Sequence, residues 1–199
     1  MKRLAPEGGW RAASVARLSG AERGLFALTS RLGNRLFGRS ETPNIMLALS
    51  GNQRLFWPWL WFASRFMPFG QLPHRTRERL ILRTAWNCRC EYEWGQHADL
   101  SRRWGIDETE LEKIAQGPLA DWSALERAQL SAADELHREG CVSDGTWQTL
   151  REHHSDAELI ELLLLVGHYQ MLAGFLNSAG VRLESRLLER LERRAASSA

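Results

Sequence analysis

The chain has 199 residues, 44% of them apolar and 25% charged, and a formal net charge of +2. That length and apolar content suit one domain with a sizeable core, and a charge so near neutral excludes nucleic acid as the expected partner. Three cysteines, two of them one residue apart, do not make the framework of a secreted disulfide protein, so a reducing, cytoplasmic setting is expected. The first ten residues lack the apolar stretch of a signal peptide, and no run approaches the ~20 apolar residues of a membrane span, so no membrane partner is expected.

From residue 19 onward nearly every segment reads as helix. Ser19 can cap a helix carrying Leu25, Phe26, Leu28, Leu32 and Leu36, with a Thr42-Pro43-Asn44 turn after it. Ile45 to Leu49 leads through Ser50-Gly51-Asn52 into an aromatic stretch, Leu55 to Phe69. Its Trp-rich part is short for a membrane-surface anchor and fits a subunit interface or pocket wall better. Pro73 starts a helix through Trp86. Asp107 and Glu110 form a capping-box pattern before Leu111 and Ile114, with Gly117 beyond the end. Asp121 opens Trp122 to Glu139, closed by Gly140. Ser143-Asp144 and Ser155-x-x-Glu158 start two more helices, the second running through the apolar Leu159 to Leu176. Val181 to Arg194 alternates charges. No segment shows the alternation of a strand. The expectation is a single all-α helical domain over residues 19–194, an N-terminal extension at 1–18 and a disordered tail at 195–199. Within it, the helix from about 88 to 104 is expected to pack against the helix from about 156 to 178.

The chemistry concentrates between Asn87 and His97. Cys90, Glu93 and His97 are spaced i, i+3, i+7, which places a thiol, a carboxylate and an imidazole on one helical stripe, Cys90 and His97 within roughly 20° of each other. Two readings are open at Asn87. It can cap a new helix, setting Cys90 in the first turn where the macrodipole favours a thiolate, or Leu80 to Gly105 can be one continuous helix. Seven residues separate the Cys90 and His97 backbones by roughly 10 Å along an axis, too far for a direct bond. Glu93 and His97 are i, i+4 neighbours and form the expected acid/base unit. Glu78 is a second carboxylate for the site. Arg75, Arg77, Arg79, Arg83 and Arg89 offer one or two anchors for a substrate carboxylate. Tyr92, Trp94, His168 and Tyr169 are candidates for substrate binding, although a hydrogen-bonded core pair is the commoner role for His168 and Tyr169. His153-His154 does not converge with further ligands, so no metal or other cofactor is expected, and Cys141 reads as an inert thiol.

A Leu-Pro followed by an Arg-rich turn, Glu78, an apolar helix, Cys90 and His97, with the spacing between them, resembles the carboxymuconolactone decarboxylase and alkylhydroperoxidase D superfamily. The resemblance spans roughly residues 44–181. It implies an oligomeric all-α bundle acting on a small-molecule substrate with Glu78, Cys90, Glu93 and His97 as catalytic residues, and no cofactor. The peroxidase branch uses a Cys-x-x-Cys pair whose second cysteine attacks the peroxide. This chain has Glu93 at that place, and the Glu93-x-x-x-His97 pattern is similar to the decarboxylase branch. Cys88 is no simple substitute, because residues two apart on a helix face about 200° away from each other, and a Cys88–Cys90 disulfide needs local unwinding. The resulting expectation is acid/base chemistry on a small carbonyl or lactone. The alternatives are a peroxiredoxin-type thiol peroxidase acting through Cys90 and a non-catalytic redox-sensing oligomer.

Overall fold

The computed structural model describes residues 20–36 and 41–198, so the extension expected at 1–18 lies outside the described residues. Among these, ten α-helices carry the regular structure and no strand is present: α1 (Gly20–Leu36), α2 (Asn44–Leu49), α3 (Gln53–Ser64), α4 (His74–Asn87), α5 (Glu91–Ser101), α6 (Glu108–Gln116), α7 (Ala124–Glu139), α8 (Asp144–His153), α9 (Asp156–Ala179) and α10 (Ser185–Ser198). The all-α expectation is met. Where the sequence shows no linker, the chain divides into two compact units, residues 62–175 and residues 1–61 together with 176–199. Both boundaries fall inside helices, α3 and α9, and a boundary inside a helix leaves no Pro- or Gly-rich signature.

The unit of residues 62–175 is organised by α4, whose residues from Thr76 to Ala85 are all buried. Leu80 and Ile81 join Phe66, Leu72, Ala132, Leu150, Leu159, Leu162, Leu165, Val166 and Tyr169 in one core. Leu82 faces the other way, into a second cluster with Ala98, Ile106, Ile114, Trp122 and Leu130. The helices whose apolar residues share this core with α9 are α4, α7 through Ala128, Ala132 and Ala133, and α8 through Leu150. The helix starting at residue 91, expected to pack against α9, meets it through an edge-to-face contact of His97 with Tyr169, ring centroids 5.2 Å apart.

A helix buried on every side that also carries Arg77, Arg79 and Arg83 must satisfy each guanidinium, since an unpaired buried charge is costly. Arg79 bonds Glu110 at 2.5 Å and Glu126 at 2.6 Å. Arg83 clamps Asp134 through two bonds, of 2.5 and 2.8 Å, and reaches the carbonyl oxygens of Ile114 and Ala115. Gly117, at φ 78°, lets this guanidinium approach: a Cβ there would lie 2.4 Å from Arg83 Nη2. Arg77 donates to the Phe66 and Pro68 carbonyl oxygens, and Arg75 bonds Glu110. Four of the five arginines offered as substrate anchors thus hold the fold together, and Arg89 is exposed.

The caps follow local chemistry closely. The Asp107 carboxylate accepts from the Glu110 amide, and Ser155 with Glu158 completes a capping box. For α7 the cap is Ser123, boxed by Glu126, rather than Asp121. Helix α9 is long and apolar enough, by length and composition alone, to cross a membrane, which the sequence reading did not expect. Its Leu159–Leu162–Leu165–Val166–Tyr169 side is instead core. In the other unit, Phe26, Leu47 and Phe56 form a small core with Trp57, Trp59 and Leu60 against it, while Leu25, Leu28 and Leu32 of α1 are exposed. Helix α10 continues through Ser198, past the expected start of the tail, because its two alanines are strong helix formers.

Candidate functional site

The junction between α4 and α5 resolves the choice left open at Asn87. The chain does break there, but Asn87 is the last residue of α4 and Cys90 is the N-cap of α5. The Arg89 amide donates to the Trp86 carbonyl at 3.0 Å and the Cys90 amide to the Ala85 carbonyl at 2.9 Å. Arg89 itself adopts φ 50°. These two bonds around a left-handed residue make a Schellman motif, with arginine in the position glycine usually takes. The Asn87 side chain, expected to cap α5, donates to Asp134 at 2.7 Å instead.

Starting α5 at Glu91 places Cys90, Glu93 and His97 at N-cap, N3 and N7, all buried. The expected Glu93–His97 bond is not formed. His97 Nδ1 lies 2.8 Å from Glu78 Oε2, a carboxylate 19 residues earlier that is 0% exposed. With Nδ1 donating to the carboxylate, Nε2 is the ring nitrogen available to a substrate. Tyr169 rests its ring edge-to-face against His97, and His168 and Phe66 continue the aromatic wall.

Glu93 is the more unusual group. Among the described residues neither of its buried oxygens has a well-aligned hydrogen-bond partner, and the Cys90 thiol is the neighbour close enough to act on it. Burial pushes the carboxyl up to about 8, and the thiol only partly offsets this. Burial and then the Glu93 charge push Cys90 up to about 12, although the Glu93 and Tyr92 backbone N–H groups at the start of α5 favour its thiolate. His168 is driven down to about 4 by burial and is neutral near pH 7.

Four candidate catalytic residues therefore form two pairs, Glu78 with His97 and Cys90 with Glu93. Of the candidates for binding substrate, Tyr169 touches His97. His168 stands behind Tyr169 and between Phe62 and Phe66. Trp94 packs against Trp86 and the Leu82–Ala98 core, and Tyr92 accepts a hydrogen bond from Gln96. Sequence spacing could not show the Glu78–His97 bond, because it joins two helices.

The helices and this pair of pairs define a protein of the alkylhydroperoxidase D-like fold. The carboxymuconolactone decarboxylase family model matches residues 56–135, a span that includes Glu78, Cys90, Glu93 and His97. Among solved structures, it is similar to an uncharacterized peroxidase-related protein from Ralstonia eutropha JMP134, described as an alkylhydroperoxidase AhpD core. That match has a TM-score of 0.76 at 19% identity and covers 94% of this chain and 95% of the other. An uncharacterized peroxidase-related protein from Silicibacter sp. TM1040 matches with a TM-score of 0.73 at 16% identity, over 82% and 87% of the two chains. The debrominase Bmp8, in complex with 2,3,4-tribromopyrrole, matches with a TM-score of 0.73 at 14% identity, over 88% and 94%. No curated protein matches the sequence.

Proposed function

We propose that this protein is a carboxymuconolactone decarboxylase-like enzyme that moves protons on a small carbonyl or lactone substrate. The observation that carries this reading is the contrast between its two buried carboxyl groups. Glu78 is bonded to His97 Nδ1 and orients the imidazole so that Nε2 can take a proton. Glu93, one helical turn before His97, has no such partner and is held protonated near neutral pH, ready to donate. A carboxylate bonded to the imidazole supports a base, and a carboxyl held protonated by burial serves as the acid. Loss of carbon dioxide from a lactone acid, or isomerisation beside a carbonyl, leaves an enolate that such a donor reprotonates. Tyr169 and His168 form the wall beside His97 against which the substrate packs.

One observation favours the thiol peroxidase reading: Cys90 sits at the N-cap of α5, where the Tyr92 and Glu93 backbone N–H groups favour its thiolate. Burial weighs against it, because it disfavours the thiolate that would attack a peroxide. The two readings separate in one experiment. A panel of lactone acids, keto acids and organic hydroperoxides is assayed with the wild type and with Cys90→Ser, Glu93→Gln and His97→Ala. Turnover of a carbonyl or lactone substrate that survives Cys90→Ser and is lost in the other two variants supports proton transfer. Peroxide turnover abolished by Cys90→Ser overturns it.

We also propose self-association. Ile160, Leu164 and Met171 lie on one stripe of α9 and are exposed to 59%, 48% and 57%, which suits a face covered by a second copy.

A further inference from the structure

We propose that the substrate of the acid/base site is a neutral, planar, unsaturated carbonyl compound, held on a ladder of aromatic rings that runs inward from Phe62 to His97. This assignment rests on the acid/base reading and narrows it to one substrate class. Phe62, near the end of α3, is a large apolar ring that is nevertheless 38% exposed. It meets Phe66 edge-on, ring centroids 4.9 Å apart, and His168 at 5.6 Å. Phe66 lies 5.3 Å from His168, His168 5.4 Å from Tyr169, and Tyr169 5.2 Å from His97. Beyond Phe62 every ring in this series is buried. Aromatic surface thus leads from solvent to the imidazole that takes the proton. Such rings prefer offset or edge-on contact with other flat π-systems, so the ladder selects planar ligands over bulky saturated ones.

Charge decides the rest. An anion carried into a buried site needs a cation there to replace its water. The buried guanidinium groups of α4 are already committed: Arg79 to Glu110 and Glu126, Arg83 to Asp134, and Arg77 to the Phe66 and Pro68 carbonyl oxygens. Arg65 precedes Phe66 in the chain and is exposed at the surface. His168 is driven down to about 4 by burial and carries no charge near neutral pH. Glu78, 0% exposed and bonded to His97, repels a second carboxylate. Glu93, held protonated, offers a hydrogen to a carbonyl oxygen. A neutral ketone or lactone suits these groups and a carboxylate does not, which favours isomerisation over loss of carbon dioxide. His97 Nε2 removes the proton from the carbon between the carbonyl and a double bond, and the electrons pass to the carbonyl oxygen as a dienolate. The same proton returns at the far end of the former double bond, which moves into conjugation with no atom or electron gained or lost.

The test measures binding to the full chain by equilibrium dialysis, with coumarin, coumarin carboxylate and the neutral coumarin carboxamide as probes. Coumarin is a flat unsaturated lactone, and the carboxamide matches the carboxylate in size without its charge. Coumarin and the carboxamide are expected to bind at least ~10-fold more tightly than the carboxylate, whose charge finds no partner in the site. Coumarin should also shift the imidazole resonances of His97, at the inner end of the ladder. Phe62→Leu keeps an apolar side chain at a partly exposed position and should weaken coumarin at least ~3-fold through loss of the ring. Carboxylate binding as tight as that of the carboxamide, no coumarin binding at millimolar concentration, or an unchanged affinity in Phe62→Leu overturns the proposal. Binding is read without turnover, so its outcome is separate from that of the acid/base reading. A chain that binds the three probes as expected but isomerises no β,γ-unsaturated ketone keeps this ligand class and loses the proton-transfer chemistry.

Discussion

His97 Nδ1 and Glu78 Oε2 meet at 2.8 Å, joining α5 to α4 inside a core from which the carboxylate is wholly shielded. A bond of this kind fixes the imidazole tautomer. Nitrogen-15 spectroscopy of the neutral histidine is expected to show a protonated Nδ1 and a bare Nε2, and Glu78→Gln should disturb that preference. With a substrate in hand, the same variant should lower kcat by about 10²–10⁴-fold, because a general base held in the wrong tautomer cannot accept. An unchanged tautomer and unchanged kcat would remove Glu78 from the site.

Glu93 makes stability depend on pH in a direction opposite to most carboxylates. Its folded-state value is raised from an ordinary 4.5 to about 8, so between those limits the folded protein holds a proton that the unfolded chain releases. Its contribution is fully present below about pH 4.5 and is lost as pH rises through about 8. Denaturant melts from pH 5 to 9 should therefore show the wild type weakening towards alkaline pH, with a flatter profile in Glu93→Gln. Parallel profiles would show that Glu93 is not held neutral.

Asp134 takes two hydrogen bonds from Arg83 and one from Asn87, so its loss strands a buried guanidinium and an amide together. Asp134→Ala is expected to cost about 3–5 kcal/mol, the range for breaking a buried ion pair from one side. Chemical denaturation measures this directly. A cost below about 1 kcal/mol would mean that Arg83 finds other partners or water.

If the exposed stripe of α9 is a self-association face, charges placed on it will separate the subunits. Light scattering should give a multiple of 22.7 kDa for the wild type and a single chain for Ile160→Glu with Met171→Glu. A wild-type monomer at micromolar concentration would rule the face out.

The sequence by itself determined what depends on near neighbours. The helical periodicity, the Asp107 and Ser155 caps, the Gly140 stop and the all-α class all rest on interactions within a few residues, and they appear where the pattern puts them. Motif spacing also marked Glu78, Cys90, Glu93 and His97 as a group. What only the tertiary structure decided is how that group is wired. Spacing favoured Glu93 as the partner of His97, because i, i+4 neighbours are the pairs a single helix makes visible. The folded chain gives His97 to Glu78, since packing α5 against α4 delivers a carboxylate that was distant in sequence. The arginines of α4 show the same limit. On a linear chain they read as solvated charges or substrate anchors, and their true partners, Glu110, Glu126, Asp134 and backbone carbonyls, lie up to 51 residues away. Long-range pairing of buried charges depends on which helices meet, and no local pattern encodes that.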